Sequence, residues 1–218
     1  MIAGQATVGG LRRVHSYVAL GDSFTAGTGC KPGEAWADRL AAALAGDGAG
    51  LTYSNLAVDG ATSADVLMQL DRAVELRPDL TTVICGANDV LLTVRPDLEG
   101  FGERLGQIFD LLRGAAADPL IVTATYPGAW HFLGAGPRTA ARIEAGIAEV
   151  NAVISDCAAS RGIFCIDVAE HPRLRERENF AADGLHPSAL GHGVAAREIS
   201  AVLRDDLGIE CEFEEASG

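Results

Sequence analysis

The chain has 218 residues, 48% apolar and 22% charged, an ordinary globular composition that argues against disordered, collagen-like and coiled-coil architectures. Seventeen basic residues stand against 30 acidic ones, a net charge of −13. Basic residues gather only at Arg12 and Arg13 and between Arg173 and Arg177, so neither a nucleic-acid binder nor a protein of anionic membrane surfaces is expected.

This length suits one domain. The reading is a single unit over 1–218, with an N-terminal extension at 1–14 and an acidic tail at 205–218 whose six acids are expected to be solvated. No run of 18 apolar residues occurs, so no membrane span is predicted. Residues 1–10 have neither the charged start nor the apolar stretch of a secretory leader, and a cytoplasmic location is expected. A mature secreted chain would read the same. The five cysteines (Cys30, Cys85, Cys157, Cys165, Cys211) are odd in number and lack CxxC spacing. Cys85 and Cys165 lie in apolar runs, as buried reduced thiols do.

In chain order, β-branched apolar runs at 17–20, 52–57, 81–85, 120–125 and 163–168 predict strands buried on both faces. Between and after them, apolar residues at three- and four-residue spacing predict helices at 34–45, 63–75, 98–113, 138–159 and 188–203. Asp65, Asp97 and Pro137 read as helix starts, and Gly46, Gly114 and Gly162 as stops. Five alternations of strand and helix predict a three-layer α/β/α sandwich around a parallel sheet. In such sheets the chemistry lies beyond the carboxyl ends of the strands, which selects 21–29, 58–62, 86–92, 126–136 and 180–188.

The first of these segments contains Gly21-Asp22-Ser23-Phe24. A serine directly after a Gly-Asp turn at a strand's end is either an exposed nucleophile or the cap of the next helix. Phosphate-binding alternatives fail: a dinucleotide fingerprint from Gly27 needs glycine where Pro32 stands, and a P-loop needs Ser or Thr after Lys31. Before the last predicted helix, Asp183-Gly184-Leu185-His186-Pro187 puts a carboxylate and an imidazole three residues apart. One tight turn can bring the Asp183 carboxylate to Nδ1 of His186 and leave Nε2 for a nucleophile. His192 lies inside the helix pattern without an upstream acid and reads as structural, while His15, His131 and His171 have no evident partner. After the third strand, Gly86-Ala87-Asn88-Asp89 offers the Asn88 amide as an oxyanion donor or as a plain turn residue, with Asp89 tying the loop. After the second, Asp59-Gly60 offers a backbone N–H or a turn glycine.

Gly-Asp-Ser, a glycine after the second strand, Gly-x-Asn-Asp and Asp-x-x-His, in that order between Val18 and His192, together resemble the blocks of the SGNH (GDSL-type) hydrolase superfamily. The resemblance implies a flavodoxin-like fold of about five parallel strands and hydrolysis of carboxylic esters without a cofactor or metal. It assigns Ser23, Gly60, Asn88 and His186 as the four signature residues, with Asp183 as the acid of the triad. On that assignment Ser23 forms the acyl-enzyme, and the Ser23 and Gly60 N–H groups with the Asn88 amide hold the oxyanion. Phe24 stands where many members carry Leu or Ile, and Cys85 precedes the third block's glycine; neither removes a catalytic group. HExxH and paired-cysteine spacings are absent, so no metal is expected.

The expected partner is a small acyl ester. Asp22, Val90, Leu91, Tyr126, Trp130 and Phe132 are the candidates for contacting it, the aromatic stretch 126–134 either walling an acyl pocket or simply packing on the body. An acyltransferase using the same triad is the alternative function, and a non-enzymatic binding relative a more distant one.

Overall fold

A computed structural model describes residues 11–46 and 50–213. The residues 1–10 searched for a leader, most of the extension, and the last five residues of the acidic tail lie outside the described residues.

Five strands make an all-parallel sheet in the order β2-β1-β3-β4-β5, with β1 at Ser16–Gly21, β2 at Thr52–Asn55, β3 at Leu80–Ile84, β4 at Leu120–Ala124 and β5 at Phe164–Ile166. Helices α2 (Trp36–Ala45) and α7 (Ala189–Asp205) pack together over one face, and α3 (Ser63–Leu76), α5 (Leu98–Arg113) and α6 (Pro137–Arg161) over the other. Two short helices at the carboxyl rim, α1 (Ser23–Ala26) and α4 (Ala87–Leu91), escape sequence periodicity because four or five residues do not complete a stripe.

Alternation along β1 divides the core. Val18 and Leu20 pack toward α3 and α5, Tyr17 and Ala19 toward α2 and α7. The central strands β1, β3 and β4 are buried almost throughout, as expected of strands covered on both sides. The expectation fails for β2 and β5, which are only half-buried because they are the sheet's edges, a place that depends on strand order and not on local sequence. Cys165 on β5 is accordingly half-buried, whereas Cys85 is buried, and all five cysteines are free.

Gly46, Gly114 and Gly162 close α2, α5 and α6, and Asp97 and Pro137 open α5 and α6. Asp65 does not open α3. Thr62 is the cap, and Asp65, three residues on, returns its carboxylate to the Thr62 N–H at 2.9 Å in a capping box. The described acids of the tail are exposed, yet the tail itself is not free of the body. Ile209 and Cys211 are buried, and residues 208–210 pair with Arg12 beside the start of β1.

The switch in strand order falls between β1 and β3. Loops leaving these two strands in opposite directions open a crevice between them.

Candidate active site

Ser23 stands two residues past the end of β1, on the lip of that crevice, and is 5% exposed. The helix cap is Asp22, whose Oδ1 accepts the Phe24 N–H at 3.0 Å, so the Ser23 hydroxyl is not spent on capping. The turn is anchored from below by Gln69: its amide accepts the Gly21 N–H at 3.0 Å and donates to the Gly21 carbonyl at 2.9 Å. Gln69 is not among the site residues the sequence suggests. Its signal is visible in retrospect, a polar side chain on the same stripe of α3 as Val66, Leu70 and Ala73.

Asp22 is fully buried, with Tyr126 donating to Oδ2 at 3.2 Å and no cationic partner in contact among the described residues. Burial pushes its carboxyl up to about 7; the Phe24 N–H, the Tyr126 hydroxyl and nearby His186 act in the opposite direction. Asp22, offered by the sequence as a substrate contact, lies fully buried and supports the turn from inside.

On the neighbouring loops, Gly60 is exposed at φ +74°, a conformation that asks for glycine although a Cβ would meet nothing within 4 Å. Asn88, 8% exposed, donates from Nδ2 to the Ala61 carbonyl at 3.0 Å. That bond fixes the amide plane and couples the loops after β2 and β3. A second tie runs beside it: Asp89 accepts from the Ser63 hydroxyl at 2.6 Å and from its N–H at 2.9 Å, and Arg104 pairs with Asp89 at 3.4 Å. The expected tying role of Asp89 is thus visible. The Val58 N–H donates to the Gly21 carbonyl at 3.1 Å, binding the Gly60 loop to the Ser23 turn.

Asp183 and His186 meet as expected. Nδ1 of His186 lies 2.7 Å from Oδ2 of Asp183, while Oδ1 accepts the N–H groups of Leu185 and His186 at 2.9 and 3.1 Å. Partial burial alone would raise the Asp183 carboxyl, but these hydrogen bonds hold it below the usual carboxylate range. The ring of His186 lies 6.1 Å from that of Phe24, the residue after Ser23. The loop is held by Arg177, which donates to the Phe180 and Ala181 carbonyls at 2.9 and 3.0 Å and covers the Phe132 ring at 5.5 Å. Arg177 was also missed, and no local pattern marks it.

The remaining candidates divide. Val90 is fully buried and packs against Gly146, so it faces no open pocket, and Leu91 is half-buried against the same core. Tyr126 and Trp130 are buried and form with Phe24 a three-ring cluster at centroid distances of 5.7, 6.4 and 6.2 Å. Phe132 is half-buried and packs tilted against Phe180 at 5.4 Å. The 126–134 segment thus braces the His186 loop; its carbonyl at Phe132 sits where Gly184 lacks a Cβ. His192 is structural, with Nδ1 accepting the Trp36 N–H at 3.1 Å, and burial lowers it to about 4.

Serine, glycine, asparagine and an Asp–His pair are thus distributed over the carboxyl rim of one parallel sheet. A family model described as the GDSL-like lipase/acylhydrolase family matches residues 19–194, and the chain belongs to that family; it is a carboxylic ester hydrolase. The same fold occurs in a lipase/acylhydrolase from Enterococcus faecalis (23% identity, 93% of this chain and 100% of that chain, TM-score 0.70). It occurs too in a catalytic mutant of Axe2, an acetylxylan esterase from Geobacillus stearothermophilus (17%, 93% and 97%, TM-score 0.69). A third likeness is an extracellular lipase from Streptomyces rimosus (23%, 81% and 94%, TM-score 0.61). No curated protein sequence matches the chain. Among the described residues no helix is long and apolar enough to cross a membrane.

Proposed function

We propose that this hydrolase cleaves small acyl esters through an acyl-enzyme on Ser23. His186 takes the Ser23 proton at Nε2 as the oxygen attacks the ester carbonyl, then returns it to the departing alkoxide, and water repeats the sequence to release the acid. Asp183 fixes the ring tautomer and stabilises the imidazolium. The N–H groups of Ser23 and Gly60 and the Asn88 amide hold the oxyanion.

The single observation that carries this reading is the 2.7 Å contact between Nδ1 of His186 and Asp183, which leaves Nε2 on the opposite side of a ring lying against Phe24. The test is hydrolysis of p-nitrophenyl acetate, with labelling by a serine-directed fluorophosphonate. Ser23→Ala should abolish both, and near-normal turnover in that variant would refute the assignment. Transfer of the acyl group to an alcohol acceptor would use the same groups, and product analysis with an added acceptor distinguishes it from hydrolysis.

A further inference from the structure

Behind the candidate site, between the carboxyl ends of β3, β4 and β5 and the first half of α7, lies a cavity of about 110 Å³. Its lining includes the residues that follow the serine and the histidine, Phe24 and Pro187, together with Tyr126 and Phe180, and Ala195 and Ile199 of α7. The lining is apolar apart from Thr125, Glu198, Asn179 and the polar tips of Trp36 and Tyr126, the Tyr126 hydroxyl being spent on Asp22. The Thr125 hydroxyl is engaged with Asp167 at 2.9 Å, and Glu198 is paired with Arg173 at 3.4 Å and His171 at 3.5 Å. Asn179 differs. It is 3% exposed, its Nδ2 donates to the Arg173 carbonyl, and its Oδ1 is buried with no partner among the described residues. A buried acceptor left unpaired is costly, so a bound group that brings a donor would be favoured at Asn179.

We propose that the cavity receives the acyl chain of the substrate, a chain of four or five carbons carrying one hydroxyl that donates to Asn179 Oδ1. This rests on the Ser23 reading above and narrows it to short hydroxyacyl esters. The volume sets the length: a dry cavity of roughly 150 Å³ takes benzene, and this one is smaller. The apolar walls supply the affinity, and the one acceptor supplies the discrimination.

The test compares p-nitrophenyl acetate, butanoate, 3-hydroxybutanoate and octanoate in the wild type and in Ala195→Leu, whose added bulk fills the cavity. The wild type should prefer the four-carbon esters and the hydroxylated one most. In Ala195→Leu the butanoate-to-acetate ratio of kcat/KM should fall roughly tenfold or more, the scale of a misfitted methylene or two in an apolar pocket. An unchanged ratio overturns the cavity assignment, and equal rates on butanoate and 3-hydroxybutanoate overturn the Asn179 contact. A second readout needs no turnover. Trp36 lines the cavity, so butane-1,3-diol should change its fluorescence saturably in Ser23→Ala protein, and less so with Ala195→Leu added. No saturable change in that experiment overturns the proposal even if Ser23 proves to be the nucleophile. Saturable binding with no esterase activity in the wild type overturns the Ser23 reading and leaves the cavity a small-alcohol site.

Discussion

The two halves of the site are built on different principles. Ser23, Gly60 and Asn88 stand on short turns at the ends of three adjacent strands, cross-linked by Gln69, by the bond from Asn88 to Ala61 and by the Ser63–Asp89–Arg104 network. Asp183 and His186 stand in a segment without regular strand pairing, stabilised from outside by Arg177 and the 126–134 stretch. The first half inherits its geometry from the sheet. The second borrows it from its neighbours, and should be the more easily displaced.

The comparison can be broken most forcefully by removing the imidazole. His186→Ala should lower ester turnover by at least roughly 10⁴-fold while leaving the thermal midpoint almost unchanged. A midpoint lowered along with the rate would mean that the ring also holds the loop in place. Next in size is Asn88→Ala, expected to reduce kcat by roughly 10²–10³-fold with little change in KM, as measured on p-nitrophenyl acetate.

A matched pair of glycine substitutions sharpens the contrast. Gly60→Ala meets only the left-handed backbone cost, about 1–2 kcal/mol, because its Cβ finds open space. Gly184→Ala at φ +69° carries the same cost and also collides with the Phe132 carbonyl. Chemical denaturation should show Gly184→Ala as the less stable of the two, and its kcat should fall further than that of Gly60→Ala. The reverse order would mean that the Asp183 loop is the better anchored half.

The last test concerns Asp22. Its carboxyl is raised to about 7, so the folded chain holds a proton that the unfolded chain releases near the ordinary carboxylate value. Its contribution to stability therefore falls as pH rises from about 4 to 7 and levels off above, by at most about 1.4 kcal/mol per pH unit. Asp22→Asn should flatten that part of the profile. Denaturation of both proteins at pH 5 and pH 8 measures it, and parallel losses in the two would remove the carboxyl from the account.

Much of this was legible in the sequence because strand interiors and helix stripes are local. The apolar runs located all five strands, and the Asp183–His186 spacing anticipated the turn that joins them. What was not legible depends on where distant segments come to rest. The half-exposed edges β2 and β5 follow from strand order, and the burial of Asp22, Val90 and Trp130 from loops folding back over the rim. Arg177 grips carbonyls that only the finished fold brings to it. Thr62, in contrast, was readable and misassigned: a threonine three residues before an aspartate is the older signal, and Asp65 is its reciprocal partner.

The pairing of Arg12 with the stretch around Ile209 lies off the beginning of β1, at the end of the sheet remote from Ser23. Both ends of the described chain thus lie at the amino-terminal edge of the sheet. A tether placed there would anchor the protein to a resin or an electrode with its working rim turned outward, so immobilisation should leave substrate access intact.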